Sequence, residues 1–261
     1  MIKLAKAHYA AAFDLYRGAE AFFPLIGAVL ADRQDGTVYA DDAVTPRQFY
    51  VEHAFGFAQV FGKPSASFEA ELKCYLLVDK GFTAPKVRLY APYLPAFLDE
   101  PHCDTMRSWR QRFVIDPAGP FNAQFNALAP ACEITQASVN QGNIAQIESA
   151  FCVVGRFWRS PLEFIDKAQA VVALQCGRPA AICYAAAVAN GRAEIDVLTL
   201  PEYRKVGVGK FAVMHFVKRC FAQSLEPLWD CFSNNAGSLQ LCRSVGFTAH
   251  SPPYPFFTIN P

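Results

Sequence analysis

Apolar positions in the second half of the chain switch between a period of two and a period near 3.6, and the switches fall at recognisable punctuation. CEITQAS predicts a strand and VNQGNIAQIESAFC a helix. Ser160-Pro161-Leu162-Glu163 is a capping box with proline at the first helical position, so PLEFIDKA predicts a second helix. AVVALQC, AAICYAAAV and AEIDVLTL predict three strands, joined by GRP and by an Asn190-Gly191 hairpin turn, and Pro201 stops the last. Residues 207–224 predict one long helix, PLWDCF a strand, and Asn235 to Val245 a helix that Gly246 ends. PFFTIN predicts a closing strand. The order is β-α-α-β-β-β-α-β-α-β.

The first half mixes the two periods less cleanly. YAAAFDLYR and AEAFFPLIGAVLAD predict helices, and GTVYADD and the Phe-rich AFGFAQVFG predict strands. SFEAELKCYLLVDKG predicts a helix with Ser67 as N-cap and Glu71 in the first turn. KVRLYAP and RSWRQRFVID alternate as strands. DPAGPFNAQFNALAP, residues 116–130, holds no sustained period and reads as a boundary. The expected organisation is an α/β (α+β) chain with an N-terminal domain at 1–118, a linker at 119–130 and a second domain at 131–261.

Composition narrows the partners. At 52% apolar residues the 261-residue chain can bury real cores. Residues 1–118 carry 13 basic against 14 acidic side chains and the remainder 11 against 9, for a net charge of +1. No basic stripe calls for nucleic acid. AEAFFPLIGAVLA is too short to span a bilayer, and MIKLAKAHYAAAFDLY lacks the plan of a signal peptide. Nine scattered cysteines without a C-x-x-C pair read as reduced thiols in a cytoplasm, and five histidines without ligand spacing imply no metal.

Chemistry enters at PEYRKVGVGKFAV, residues 201–213, where two glycines and an Arg-Lys pair precede the long helix. Glycines at a helix start let the backbone approach a phosphate, and the unpaired N–H groups there attract it. A Walker loop fails, because Phe211 follows Lys210 and position 204 is arginine. Gly207-x-Gly209-x-x-Ala212 fits a dinucleotide fingerprint, with Asp230 following, but the polar PEYRK segment separates those glycines from the strand. Antiparallel hairpins ahead of the loop also contradict a doubly wound sheet.

Arg204-x-x-Gly207-x-Gly209, with Asn235-x-x-Ser238-Leu239-x-Leu241 and Gly246-Phe247 downstream, resembles the GNAT (GCN5-related N-acetyltransferase) superfamily over residues 131–261. The E-P-x-W-D-C segment resembles in particular a group of two-domain bacterial GNAT proteins. The resemblance implies a mixed, mostly antiparallel central sheet flanked by helices, preceded by a smaller α/β domain. It implies acetyl-CoA as donor, with the pyrophosphate on the N–H groups of Val206, Gly207, Val208, Gly209 and Lys210, and Arg204, Lys205 and Lys210 adding charge. The pantetheine arm would pair along Leu198, Thr199 and Leu200, where one backbone N–H meets the developing oxyanion. Asn235 and Ser238 would contact the same arm.

Amine acetylation needs a base, and Glu194 and Asp196 lie two apart on one strand face, with Asp230 as a third candidate. In the family a tyrosine four residues before the Gly-Phe glycine commonly protonates the leaving thiolate; here that position is Cys242. The thiol, water, Tyr254 or His250 could substitute, whereas His215 reads as a packed helix residue. The expected activity is transfer of an acetyl group to a small-molecule amine in a ternary complex. Protein lysine or N-terminal acetylation, and a non-catalytic acyl-CoA-sensing module, stay open beside it.

Overall fold

The computed structural model describes residues 1–19, 21–126 and 134–261. The start of CEITQAS and the end of the 119–130 segment fall outside them. The described chain forms two compact units, Met1–Arg110 with Pro253–Pro261, and Gln111–Pro252.

Unit 1 holds helices α1 (Tyr9–Tyr16), α2 (Pro24–Leu30) and α3 (Ala66–Lys73), the last continuing as a π-helical stretch, Cys74–Val78. Its strands are β1 (Ile2–Lys3), β2 (Gly36–Ala40), β3 (Gln48–His53), β4 (Phe57–Gly62), β5 (Val87–Tyr90) and the first half of β6 (Arg107–Val114). All six residues of β3 are buried, so no alternation marks it and its pattern predicts no strand there. Helix α3 starts earlier than expected: Ser65, not Ser67, holds the cap position. Its backbone is extended, and its N–H donates to Gln48 Oε1 at 2.7 Å, which fixes where the chain turns into the helix. Glu69 then occupies the first turn, while Glu71 pairs with the N-terminal ammonium.

Unit 2 adds strands β7 (Ile134–Ser138), β8 (Val171–Gln175), β9 (Arg178–Ala189), β10 (Arg192–Thr199), β11 (Glu226–Phe232) and β12 (Thr248–Ala249). Its helices are α4 (Phe121–Asn126), α5 (Ile144–Phe151), α6 (Val154–Phe157), α7 (Pro161–Lys167), α8 (Val208–Ala222) and α9 (Ala236–Val245). The strand order is β7-β8-β9-β10-β11-β6; the β7-β8, β8-β9 and β9-β10 pairs are antiparallel and β10-β11 is parallel. The local signals act as read: Ser160 Oγ accepts from Glu163 N–H at 3.2 Å, and Asn235 Oδ1 from Ser238 N–H at 3.0 Å. Glu163 reaches back to the Arg159 N–H instead of that of Ser160, so the capping box closes one residue early.

The core of unit 2 lies between α8 and the sheet. Met214, Phe216, Val217 and Cys220 are fully buried in one cluster with Ala181, Cys183 and Ala185 of β9. Small side chains on β9 let the helix come close, and each large buried side chain contributes about 1.5–3 kcal/mol.

The closing strand, β13 (Tyr254–Ile259), belongs to unit 1, where it pairs antiparallel with β5 and with Arg107–Arg110 of β6. Phe257 and Ile259 are fully buried in the unit 1 core with Phe68, Leu72 and Leu89. That apolar demand draws the end of the chain out of the 131–261 segment in which its sequence position had grouped it. Among the described residues, no helix is long and apolar enough to cross a membrane.

Candidate active site

Strand β10 positions the site. It pairs with β9 along its whole length, from Arg192↔Ala189 to Thr199↔Ala181. Its parallel register with β11 spans Arg192↔Glu226, Ala193↔Pro227 and Glu194↔Leu228. Beyond Glu194, among the described residues, no further β10–β11 pair follows. Burial records the parting: β9 is buried from Ala180 to Ala187, whereas Ile195 to Leu200 on the neighbouring strand are each only half-buried. Backbone groups on that edge are left for another partner.

The same point carries an irregularity. Ala187 opposes Glu194 but Ala185 opposes Ile195, so Ala186 is an extra residue on β9. A bulge re-aims side chains, and here it brings Tyr184 directly opposite Asp196.

After Leu200 the chain makes a 3-10 turn, Pro201–Tyr203, and reaches Arg204, whose Nε donates to Thr199 O at 3.4 Å. Lys205 has φ +67° and Gly207 φ +92°, the left-handed region glycine tolerates best. Arg204, Lys205, Val206 and Gly207 are exposed. The first helical bond runs from Phe211 N–H to Gly207 O at 3.0 Å, so the N–H groups of Val208, Gly209 and Lys210 have no partner within α8. No side chain caps them and no acidic residue lies in the first turn. The two glycines act differently. A Cβ on Gly207 would meet open space, whereas one on Gly209 would lie 2.8 Å from Thr199 Oγ1. Gly209 therefore lets the start of α8 rest against the end of β10.

The carboxylates separate by environment. Glu194 is buried, 6% exposed, where β10 leaves β11. Asp196 is half-buried; its Oδ2 accepts from Tyr184 O–H at 2.5 Å and lies 3.8 Å from Arg156 Nη1 of α6. Burial, with the Asp196 charge, pushes the Tyr184 hydroxyl far above its ordinary value. Sequence reasoning missed Tyr184 and Arg156. Counting from the Asn190-Gly191 turn pairs Asp196 with Ala185; only the bulge substitutes Tyr184.

Asp230, the third candidate, has a buried side chain 3.9 Å from Arg112 Nε, an ion-pair setting. Cys242 is fully buried in the core of unit 2, and burial pushes its thiol up to about 12. Ser238 Oγ accepts from the Trp229 indole N–H at 3.0 Å, tying α9 to β11 beside the Asn235 cap. His215 lies 4.3 Å from the Phe211 ring and 4.9 Å from Phe125, and burial lowers its basicity, as a packed residue should show. His250 is exposed and Tyr254 belongs to unit 1.

A strand that parts from its parallel neighbour beside a helix headed by unpaired N–H groups leaves an open edge next to an anion-attracting helix start. The chain belongs to the GNAT acetyltransferase family, whose model matches residues 22–257. Over 91 residues it is 30% identical to the uncharacterised N-acetyltransferase YdfB of Bacillus subtilis (strain 168), a stretch covering 35% of this chain and 35% of that protein. The match thus spans about a third of that curated relative's length. A GCN5-related N-acetyltransferase-like protein from Streptococcus suis 89/1591 superposes with a TM-score of 0.71 at 16% identity, covering 98% of this chain and 100% of that one. A tandem GNAT protein from the clavulanic acid biosynthesis pathway gives 0.62 at 10% identity, over 99% of this chain and 97% of its own. At these identities the two structures speak for the fold. The family as a whole uses acetyl-CoA.

Proposed function

We propose that this chain transfers the acetyl group of acetyl-CoA to a primary amine of a small-molecule acceptor, by direct attack in a ternary complex. The observation that carries the reading is the adjacency of the open edge of β10 to the unpaired N–H groups opening α8. The pyrophosphate would sit on the N–H groups of Val206 to Lys210, favoured by the positive end of the helix dipole. Exposed Arg204 and Lys205, with Lys210, would add charge-assisted contacts. The pantetheine arm would pair along Leu198 to Leu200, and a backbone N–H there would stabilise the oxyanion as the thioester is attacked.

Glu194 is proposed as the base that removes the ammonium proton, through ordered water. Asp196 is the second candidate, more exposed and held by Tyr184 and Arg156. Asp230, paired with Arg112, stands third. With Cys242 in the core, the thiolate would leave to water. Asn235 and Ser238 would shape the arm's surroundings from the start of α9.

The test is thiol release from acetyl-CoA over a panel of small amines, with calorimetric CoA binding beside it. Turnover on at least one amine, and a loss of about 10²–10⁴ in kcat for Glu194→Gln at unchanged CoA affinity, is the expected result. The absence of a tyrosine at the Cys242 position favours one other reading, an acyl-CoA-sensing module; tight CoA binding without turnover on any amine would establish it instead.

A further inference from the structure

Ile195 and Val197 pack on the unit 2 core beside α8, so the pleat turns Asp196 to the opposite face of β10, where α6 lies. Glu194 precedes it by two residues on that face, and Leu198 follows by two. Helix α6 is pinned at both ends. Glu148 of α5 accepts the Val154 N–H at 2.8 Å, and the buried Trp158 donates its indole N–H to Ala185 O, beside the β9 bulge, at 3.0 Å. Between them, Arg156 Nε donates to Cys152 O at 2.9 Å. A guanidinium tethered in this way loses little freedom when its Nη groups meet a ligand.

The contact that Arg156 makes with Asp196 is incomplete. Nη1 stops 3.8 Å from Oδ2, outside hydrogen-bond distance, and each side chain is 33% exposed. Oδ2 is engaged instead by the Tyr184 hydroxyl, which burial keeps protonated and therefore a donor. Among the described residues, Asp196 Oδ1 accepts no hydrogen bond and Arg156 reaches no other carboxylate. One carboxylate oxygen and part of a five-donor fork thus stay available at the open edge of β10. Charge decides what suits them. An acceptor carrying only an ammonium finds the Asp196 charge offset by an arginine at close range, and a further cationic group on it is repelled. An acceptor with a carboxylate beside its amine meets a partner for each charge.

We propose that Arg156 selects acceptors of the amino-acid type, holding their carboxylate on its fork while Asp196 receives the ammonium. This rests on the acetyl-transfer reading, with Glu194 still the base, and it names the class of amine. Thiol release from acetyl-CoA would be followed on the full chain with each of the twenty amino acids, its carboxamide and its decarboxylated amine. The same compounds would be titrated calorimetrically into the CoA-loaded chain. At least one amino acid should be used with a kcat/KM tenfold or more above its carboxamide and its decarboxylated amine. Arg156→Gln should bring that ratio to within about threefold, mainly by raising KM for the acid about tenfold to a hundredfold, the range for a lost hydrogen bond to a charged group. Asp196→Asn should weaken acid and carboxamide alike, since both carry the ammonium. Arg156→Lys, which keeps the charge without the fork, reads the same ratio should the glutamine variant fail to fold, and should also lower it. Amines used as well as amino acids, or a ratio that the Arg156 variants leave unchanged, would overturn the assignment while leaving the acetyl-transfer reading standing. If no amine is turned over, that reading fails and calorimetry decides the site alone. Amino-acid binding weakened tenfold by Arg156→Gln would then uphold it, and no saturable binding at millimolar concentration would overturn it.

Discussion

Replacing Gly209 with alanine separates a packing glycine from a ligand-facing one. The new Cβ would stand 2.8 Å from Thr199 Oγ1 and 3.7 Å from Leu241 Cδ2. The first distance is roughly 0.7 Å short of the ~3.5 Å at which non-bonded atoms rest. Relief must come from Thr199 or from the first turn of α8, because Gly209 is buried and its helix is anchored by the fully buried Val213 and Met214. Overpacking of this kind costs about 1–3 kcal/mol, and the better helix propensity of alanine returns up to about 1 kcal/mol. A net loss near 1 kcal/mol lowers Tm by about 2–4 °C in a chain of this size. The same displacement moves the unpaired N–H groups of α8 away from Thr199, and 1.4 kcal/mol of lost contact weakens CoA about tenfold. Scanning fluorimetry and calorimetric CoA titration read both effects. Thr199→Ala removes Oγ1, so the double variant should recover stability to within about 0.5 kcal/mol of Thr199→Ala alone. Gly207→Ala should behave differently: its Cβ meets open space, so its cost is the left-handed backbone at φ +92°, about 1–2 kcal/mol, which Thr199→Ala leaves untouched. The steric account fails if Gly209→Ala keeps both Tm and CoA affinity, or if Thr199→Ala does not rescue it.

Three further outcomes follow from groups away from the α8 loop. Asn235→Ala removes the cap on the Ser238 N–H and should cost about 1 kcal/mol, read as a Tm lower by about 2–4 °C, with Asn235→Asp close to the parent. His53 accepts the Phe55 N–H at Nδ1, 2.9 Å away, and burial lowers it from 6.5 to about 4. A depressed folded value means the unfolded chain binds the extra proton first, so stability present above pH 6.5 falls as pH drops toward about 4, by up to about 1.4 kcal/mol per unit. Urea titrations of His53→Gln across that window should show a flatter slope; an unchanged slope contradicts the assignment. Burial holds the Cys242 thiol at about 12, above its ordinary value of 9.0. Its contribution is therefore complete below pH 9 and lost as pH climbs toward about 12. A native-state thiol reagent at pH 8 should label exposed Cys74, Cys152 and Cys176 and spare Cys242, as peptide mapping would show.

Local chemistry made much of unit 2 readable in advance. Ser160, Pro161, Asn190-Gly191, Asn235 and Gly246 punctuate the chain through caps and backbone dihedrals, which neighbouring residues alone decide. The glycine loop is local in the same sense: Gly207 needs its left-handed φ wherever the helix points. Unit 1 was less legible, since β3 is buried on both faces and carries no alternation, and Ser67 reads as the α3 cap until the Gln48 contact places the cap at Ser65.

What the sequence determined by itself is most of the order of strands and helices in the second half, though not the short α4, α6 and β12, and the glycine-opened start of α8. Tertiary structure decided which distant residues meet. The Ala186 bulge put Tyr184 against Asp196, Arg112 of β6 claimed Asp230, Thr199 crowded any side chain at position 209, and the unit 1 core drew in β13. The physical reason is common to all four. Hydrophobic period and turn chemistry fix the face a residue takes within its own element, but register between elements depends on which side chains must be buried together, and no local pattern carries that information.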